Sequence, residues 1–338
     1  MSVSAIVPVW NGRELLAHLL DSLEKQTVPA VETIVVDNGS TDGAPELARA
    51  RGACVIEMGR NAGFAAAVNR GIREAQGEWR AVLNSDVELA PDYFARLRAA
   101  LDADGGWFAT GKILSASDPT RIDGTFDVLC RGGVACRVGH GCLDGPAFSI
   151  EQSIWSAPWT AALFRAELFR RTGLLEERFE SYYEDVDFGL RCAELGLAGR
   201  YVPGAVAWHR GSAALGRWHR DTVRRIARNQ VYLIARHYPR RLRWRWMWPI
   251  LVAQLLWGAV ALRHGRGWAW LQGKREGLWG LWGTRSVSVV CRQTRESDGL
   301  PHWEKVLEVL CQSSERLIRG APGIFWRLYF LLTGGEAK

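Results

Sequence analysis

Over the first hundred or so residues, short apolar runs rich in Val and Ile alternate with stretches whose apolar residues recur every three or four positions. The runs at 4–9, 33–36, 54–57 and 80–83 are largely apolar on consecutive positions, the pattern of strands buried on both faces. The stretches at 14–25, 44–50, 64–75 and 92–101 read as helices between and after them. Strand alternating with helix predicts an α/β fold, with a Rossmann-like, mostly parallel sheet carrying helices on both faces.

Such sheets bind ligands beyond the carboxyl ends of their strands, and the residues at those positions are polar and small. Trp10-Asn11-Gly12 follows the first run, Asp37-Asn38-Gly39-Ser40-Thr41-Asp42-Gly43 the second, Gly59-Arg60-Asn61-Ala62-Gly63 the third, and Asn84-Ser85-Asp86 the fourth. One cleft is lined four times. Residues 115–153 are Gly-rich and aperiodic, long for a structureless connection, which predicts a functional or partly ordered segment. A second half begins near Trp155, enters a helix around Glu167 and continues through Tyr182-Tyr183-Glu184-Asp185-Val186-Asp187.

At 338 residues, 48% hydrophobic and 23% charged, the chain is long enough for one large domain or two ordinary ones and is not disordered. Its charge is uneven. Residues 210–285 hold sixteen Arg and Lys against Asp221 and Glu276, a local net charge of +14 where the whole chain carries +7, so the remainder is acidic. That asymmetry implies an anionic partner, nucleic acid or a lipid surface.

Eight of the 17 Trp fall between Arg243 and Trp282, and residues 246–262 carry no charge. Seventeen residues fall short of the ~20 a spanning helix needs. The flanking Arg240, Arg241, Arg243, Arg245, Arg263 and Arg266, with the Trp, predict a segment lying in or dipping into an anionic cytoplasmic leaflet. A buried helical hairpin and a nucleic-acid surface are the alternatives. The second is disfavoured, because no nucleic-acid motif accompanies the segment and 250–262 is too apolar to face phosphates. Residues 324–332 read as a further interfacial helix. The odd, scattered set of seven cysteines and an N-terminus opening straight into a strand pattern predict a reducing, cytoplasmic setting. Cys130, Cys136, His140 and Cys142 match no zinc-knuckle spacing and read as free thiols and a loop histidine.

Four positions carry candidate chemistry. Asp37 leaves a buried strand into Asn-Gly-Ser, where it can accept hydrogen bonds from a ligand or simply cap the turn. Asp86, at another strand end, suits a hard divalent cation that takes its remaining oxygens from phosphate and water; a solvated turn acid is the alternative. Glu184, Asp185 and Asp187 begin a helix, where acids are ordinary capping choices but where the dipole also keeps a carboxylate ionised and basic. Asp187 and Arg191, at i and i+4, read as a structural pair. His209, closing an apolar run, is either a satisfied core residue or the completion of a site begun by Asp86.

The ordered motifs AIVPVWNG, VVDNGSTDG, NAGFAAAVN, VLNSDVEL, YYEDVDFGLR and AWHRGSA, spanning residues 4–213, together resemble the inverting glycosyltransferases of family 2 with the GT-A fold, closest to their rhamnosyltransferase-like branch. The resemblance implies that Pro8, Trp10 and Asp37 hold the base and ribose of a nucleotide-diphospho-sugar, with Asn61 and Gly63 in the nucleotide-binding turn. Asn84, Ser85 and Asp86 stand at the family's DXD motif, with Asp86 binding Mg2+ or Mn2+ and His209 completing the metal site. Asp185 matches the catalytic base, Glu184 orients it or the acceptor, and Trp159 lies where acceptor-subsite residues lie. Asn84 at the first DXD position resembles the branch using dTDP-sugars, with a UDP-sugar as the other donor.

Residues 1–215 are then expected to form the catalytic domain, with 1–113 its nucleotide-binding half and 114–215 its acceptor half. Residues 216–338 form a helical, membrane-associating region. The expected reaction is a single displacement onto a saccharide hydroxyl, the acceptor lipid-linked and the enzyme peripheral on the inner face of the cell membrane, in cell-surface polysaccharide synthesis. No nucleic acid is expected. A catalytically silent scaffold of a polysaccharide assembly is the alternative, against which the intact Glu184, Asp185 and Asp86 argue.

Overall fold

The computed structural model describes residues 2–211, 218–282, 300–321 and 323–334. Arg217, Arg285, Cys291 and the 212–215 end of the predicted catalytic domain lie outside them. Two compact units result, Met1–Phe126 with Gly139–Leu215, and Asp127–Val138 with Gly216–Lys338.

In the first unit, β1 (Val3–Val9), α1 (Arg13–Glu24), β2 (Glu32–Asp37), α2 (Ala44–Ala50), β3 (Cys54–Glu57), α3 (Phe64–Glu74) and β4 (Trp79–Leu83) alternate as the pattern predicts. There follow β5 (Val87–Leu89), α4 (Tyr93–Asp104), β6 (Phe108–Ser115) and β7 (Ile122–Gly124). Beyond the short β8 (Asp127–Leu129) and β9 (Ala135–Arg137) come β10 (Gln152–Ile154), β11 (Ala161–Arg165), α5 (Ala166–Thr172), α6 (Glu184–Glu194) and β12 (Gly199–His209). Residues 115–153 thus hold three strands of three residues each and the start of a fourth, too short for any period to show in sequence.

The main sheet runs β10-β12-β6-β11-β4-β1-β2-β3, with β5 on β12 and β7 on β6. β1 pairs in parallel with β2 and β4, and β2 with β3. β11 is antiparallel to both β4 and β6, while β12 is parallel to β6. The carboxyl ends of β1, β2, β4, β6 and β12 therefore share one edge with the amino end of β11. All seven residues of β1 are buried. Val3, Ala5 and Val7 join the core that includes Leu16, Leu19 and Leu23 of α1. On the opposite face, Ile6 lies so close to Gly71 of α3 that a Cβ there would meet Ile6 Cγ2 at 2.4 Å. Cover on both faces is why the run is continuous rather than alternating.

The second unit holds the β8–β9 hairpin and the helices α7 (Arg220–His237), α8 (Arg240–Arg245), α9 (Met247–Arg263), α10 (Gly267–Trp282), α11 (Leu300–Ile318) and α12 (Ile324–Thr333). The hairpin, placed by sequence in the acceptor half, is drawn to these helices by buried polar bonds. Glu315 accepts from the Arg131 backbone N–H at 3.0 Å, from Arg131 Nε at 3.0 and 3.1 Å, and from the Tyr329 hydroxyl at 2.8 Å. Tyr238 Oη donates to the Cys130 carbonyl at 3.1 Å, and Gln254 Nε2 to that of Gly132 at 2.9 Å. Helix α10 rests on α7 through Gly273, where a Cβ would stand 2.1 Å from the Arg224 carbonyl oxygen.

Apolar residues remain on the outside of this unit. Trp248, Leu251, Leu255 and Leu262 form one exposed stripe along α9, Trp268, Leu271 and Leu278 another along α10, and Ile324 and Leu331 a third on α12. Among the described residues, no helix is long and apolar enough to cross a membrane.

Removing the Glu315 carboxylate leaves the half-buried Arg131 guanidinium without its counter-charge. Glu315→Ala is expected to lower the unfolding free energy of the second unit by about 3 kcal/mol. Urea unfolding measures this, and a loss below about 1 kcal/mol contradicts the anchoring role.

Candidate active site

Three loops at the carboxyl edge are knitted by side-chain amides and carboxylates. Asn11 Oδ1 accepts from the Thr41 N–H at 2.8 Å, and the Asn11 N–H donates to Ser40 Oγ at 2.9 Å. Asn38 donates through Nδ2 to the Gly63 carbonyl and accepts from the Ala62 N–H, both at 3.1 Å. Asp37, only 3% exposed, accepts from the Gly39 and Ser40 N–H groups at 3.1 Å. The turn-capping reading of Asp37 is thus realised. Gly39, at φ +82°, permits the close pass; a Cβ there would lie 2.9 Å from Arg60 Cα. Pro8 is buried inside β1, so of the first-strand pair only the half-exposed Trp10 offers side-chain surface. Asn61 is exposed and its Oδ1 accepts from the Gly63 N–H at 3.0 Å.

Asn84, Ser85 and Asp86, all half-buried, turn the chain from β4 into β5. The Asn84 N–H donates to the Thr160 carbonyl at 2.9 Å, and Ser85 Oγ lies beside Gly12, 3.7 Å from where a Cβ would stand. β5 then pairs antiparallel with the end of β12, Val87 opposite His209. The Asp86 carbonyl accepts from the Arg210 N–H at 3.0 Å. In consequence His209 Nε2 lies 3.1 Å from Asp86 Oδ1.

Asp123 was missed by the sequence reading. Its Oδ2 sits 2.8 Å from His209 Nδ1. It stands in three-residue β7 within the Gly-rich segment, where no local pattern marks it. Burial alone works to lower the His209 pKa; the hydrogen bonds to Asp123 and Asp86, and their charges, outweigh it and push the ring up to about 9.

The Asp86–His209 pair fits a divalent cation. A carboxylate oxygen and an imidazole nitrogen, 3.1 Å apart at the sheet edge, are donor types that a divalent cation would accept. Among the described residues no group of three or more His, Cys, Asp or Glu side chains is arranged to hold a metal. With only a carboxylate and an imidazole from the protein, a cation here would take its other ligands from phosphate oxygens and water.

Glu184, Asp185 and Asp187 occupy the first turn of α6 as predicted. Glu184 is buried, Asp185 half-buried with Oδ1 accepting from the Val186 N–H at 2.8 Å. Ser156 Oγ donates to the Asp185 carbonyl at 3.4 Å; Ser156 precedes β11, so α6 starts at the same sheet edge. The approach to α6 is strained. Glu180, Tyr182 and Tyr183 have φ of 59°, 71° and 72°, costly for residues with a Cβ and a mark of functional segments. Glu180 is tied to the start of α3, its carbonyl accepting from the Ala65 N–H at 2.9 Å. Asp187 is buried against Arg191 at 3.0 Å, the structural pair expected.

Trp159 departs from the expected acceptor contact. It is 3% exposed and packs on Phe164 at 4.5 Å, Phe188 at 5.0 Å and Phe169 at 6.2 Å. A ring so covered has no face for a sugar and instead supports α6 through Phe188.

Sheet order, edge loops and an acidic helix start define a GT-A fold, and the comparisons agree. A solved structure of GalNAc-T7 with UDP, GalNAc and Mn2+ superposes with a TM-score of 0.61 at 14% identity, covering 85% of this chain and 58% of that longer one. The family model described as glycosyl transferase family 2 matches residues 4–173, half of the chain. The N-acetylglucosaminyl-diphospho-decaprenol L-rhamnosyltransferase of Mycobacterium tuberculosis is 29% identical over 285 residues, 74% of this chain and 91% of that protein. The putative glycosyltransferase EpsH of Bacillus subtilis is 36% identical over 107 residues, 30% of this chain and 31% of that one. The chain belongs to glycosyl transferase family 2.

A folded-state pKa of about 9 against the ordinary 6.5 for His209 fixes a sign. The ring's interactions stabilise the fold fully below pH ~6.5 and are lost as the pH rises toward ~9. In EDTA, the stability gap between the wild type and His209→Gln should be about 3 kcal/mol near pH 6 and close above pH ~9. A gap independent of pH contradicts the paired, buried imidazolium.

Proposed function

We propose that this glycosyltransferase moves a sugar, with inversion, from a nucleotide-diphospho-sugar to a hydroxyl of a lipid-linked saccharide in cell-surface polysaccharide synthesis. The observation that carries the reading is the Asp86–His209 pair on the sheet edge, 3.1 Å between donor atoms. Rhamnose is the sugar favoured, since the mycobacterial relative is named an L-rhamnosyltransferase of a diphospho-decaprenol acceptor. The Asn at position 84 favours a dTDP-sugar over a UDP-sugar.

Asp185, kept ionised by the amino end of α6, accepts the proton of the acceptor hydroxyl. The oxygen bonds to the anomeric carbon as the bond to the diphosphate oxygen breaks, and one displacement inverts that carbon. Glu184 orients the base or the acceptor. Trp10 packs on the base, Asp37 shapes the ribose side, Asn61 and Gly63 line the nucleotide turn, and Asn84 and Ser85 face the nucleotide from the DXD position. Asp86 and His209 hold a divalent cation, Mg2+ or Mn2+. When bound it neutralises charge on the departing diphosphate.

The location proposed is an anionic membrane surface, at the inner face of the cell membrane, and the second unit supports the contact with such a surface. Exposed Trp244 and Trp248 neighbour exposed Arg240, Arg241 and Arg243 in sequence, exposed Trp268 follows Arg263, and Arg275 lies over the exposed Trp279 ring at 5.9 Å. Aromatic and basic side chains together favour the interface of a charged bilayer.

Calorimetric titration with dTDP-, UDP- and GDP-sugars, with and without Mg2+ or Mn2+, tests the donor site. Metal-dependent binding of one nucleotide, lost in Asp86→Ala, is expected. Asp185→Asn should keep donor binding while transfer falls about a thousandfold; transfer that survives the change removes Asp185 as base. Sedimentation with phosphatidylglycerol vesicles, set against phosphatidylcholine, tests the membrane reading. Changing Arg240, Arg241 and Arg243 to Gln should cost about 1 kcal/mol per residue, and equal binding to both lipids sinks it.

A further inference from the structure

We propose that Asp123 is a positioning residue of the metal site: its carboxylate fixes the orientation and tautomer of His209, so that Nε2 presents a lone pair toward the cation shared with Asp86. The proposal rests on the metal reading above. β7 lies antiparallel on the end of β6, Ile122 opposite Leu114, and β12 lies parallel on β6, His209 opposite Ser115. Two short ladders on one strand thus bring residues 86 apart in sequence to 2.8 Å.

The ring's two nitrogens face two different carboxylates, Nδ1 toward Asp123 Oδ2 at 2.8 Å and Nε2 toward Asp86 Oδ1 at 3.1 Å. An ionised carboxylate only accepts, so each carboxylate favours hydrogen on the nitrogen it faces. Nδ1 has the shorter contact, 2.8 Å against 3.1 Å, so a neutral ring keeps its hydrogen on Nδ1 and its lone pair on Nε2, the nitrogen beside Asp86. Asp123 is itself held. Its side chain is 15% exposed, its backbone carbonyl accepts from His140 Nδ1 at 2.7 Å, and Gly211 borders both it and His209. A carboxylate behind a metal-binding imidazole raises the ring's basicity and narrows its orientation, and removing such a partner costs about 10- to 100-fold in metal affinity.

The test uses the full chain with Mn2+ and a saturating nucleoside diphosphate. Asp123→Asn, which keeps size but can offer either an oxygen or an NH2 to the ring, should bind Mn2+ about 10- to 100-fold more weakly. In metal-free protein, at a pH where His209 is neutral, nitrogen-15 NMR should report an Nδ1–H ring in the wild type and a mixture in the variant. A residue that merely supports the fold would not move that signal. An Nε2–H ring in the wild type overturns the proposal without any variant. Equal Mn2+ affinity in wild type and variant removes Asp123's role and leaves the metal reading standing. A wild type that takes up no Mn2+ removes both.

Discussion

The site depends on the antiparallel pairing of β5 with the last three residues of β12. That ladder sets Val87 opposite His209, and the next bond, from the Arg210 N–H to the Asp86 carbonyl, carries the register into the turn. Backbone hydrogen bonds, rather than side-chain contacts, therefore bring the carboxylate of Asp86 to the imidazole of His209. A one-residue slip in register would point His209 to the other face of the sheet. The turn at 84–86 is held from the other side by the Asn84 N–H on the Thr160 carbonyl, next to β11, the strand antiparallel to both β4 and β6.

Charge explains what such an arrangement suits. Two carboxylates face one largely buried ring, and their attraction overcomes the desolvation that would otherwise strip its proton. An excess of negative charge in a partly closed space welcomes a cation, whether a proton or a divalent ion. The loops from β1, β2 and β3 complete the edge with backbone and amide groups, and Gly39 and Gly63 let them approach closely. Gly63 meets the strained segment at 180–183, which links the predicted nucleotide turn to the start of α6.

The second unit answers a different constraint. Its helices bury polar anchors such as Glu315 and Lys274, whose ammonium donates to Ala227, Gln230 and Gln254 and is pushed down to about 7 by burial. Meanwhile apolar stripes stay outside on α9, α10 and α12. A water-facing helix normally turns its polar residues outward. This inversion, beside a run of arginines, is the physical basis of the proposal that the unit meets an anionic lipid surface.

The sequence by itself determined whatever is written in consecutive or periodic residues. The β/α alternation, the polar loops after β1 to β4 and the acidic start of α6 were legible because buried strands, turns and helix starts carry local signatures. Burial of Pro8 and Trp159 was not legible, since either residue fits a binding surface or a core and only its neighbours decide. Asp123 and the hairpin at 127–138 were hidden for the same reason. Strands of three residues leave no period, and their partners, His209 and Glu315, stand 86 and 184 residues away from Asp123 and Arg131. Tertiary structure alone decided those meetings, because pairing between distant strands and burial of a distant charge depend on the whole chain's packing.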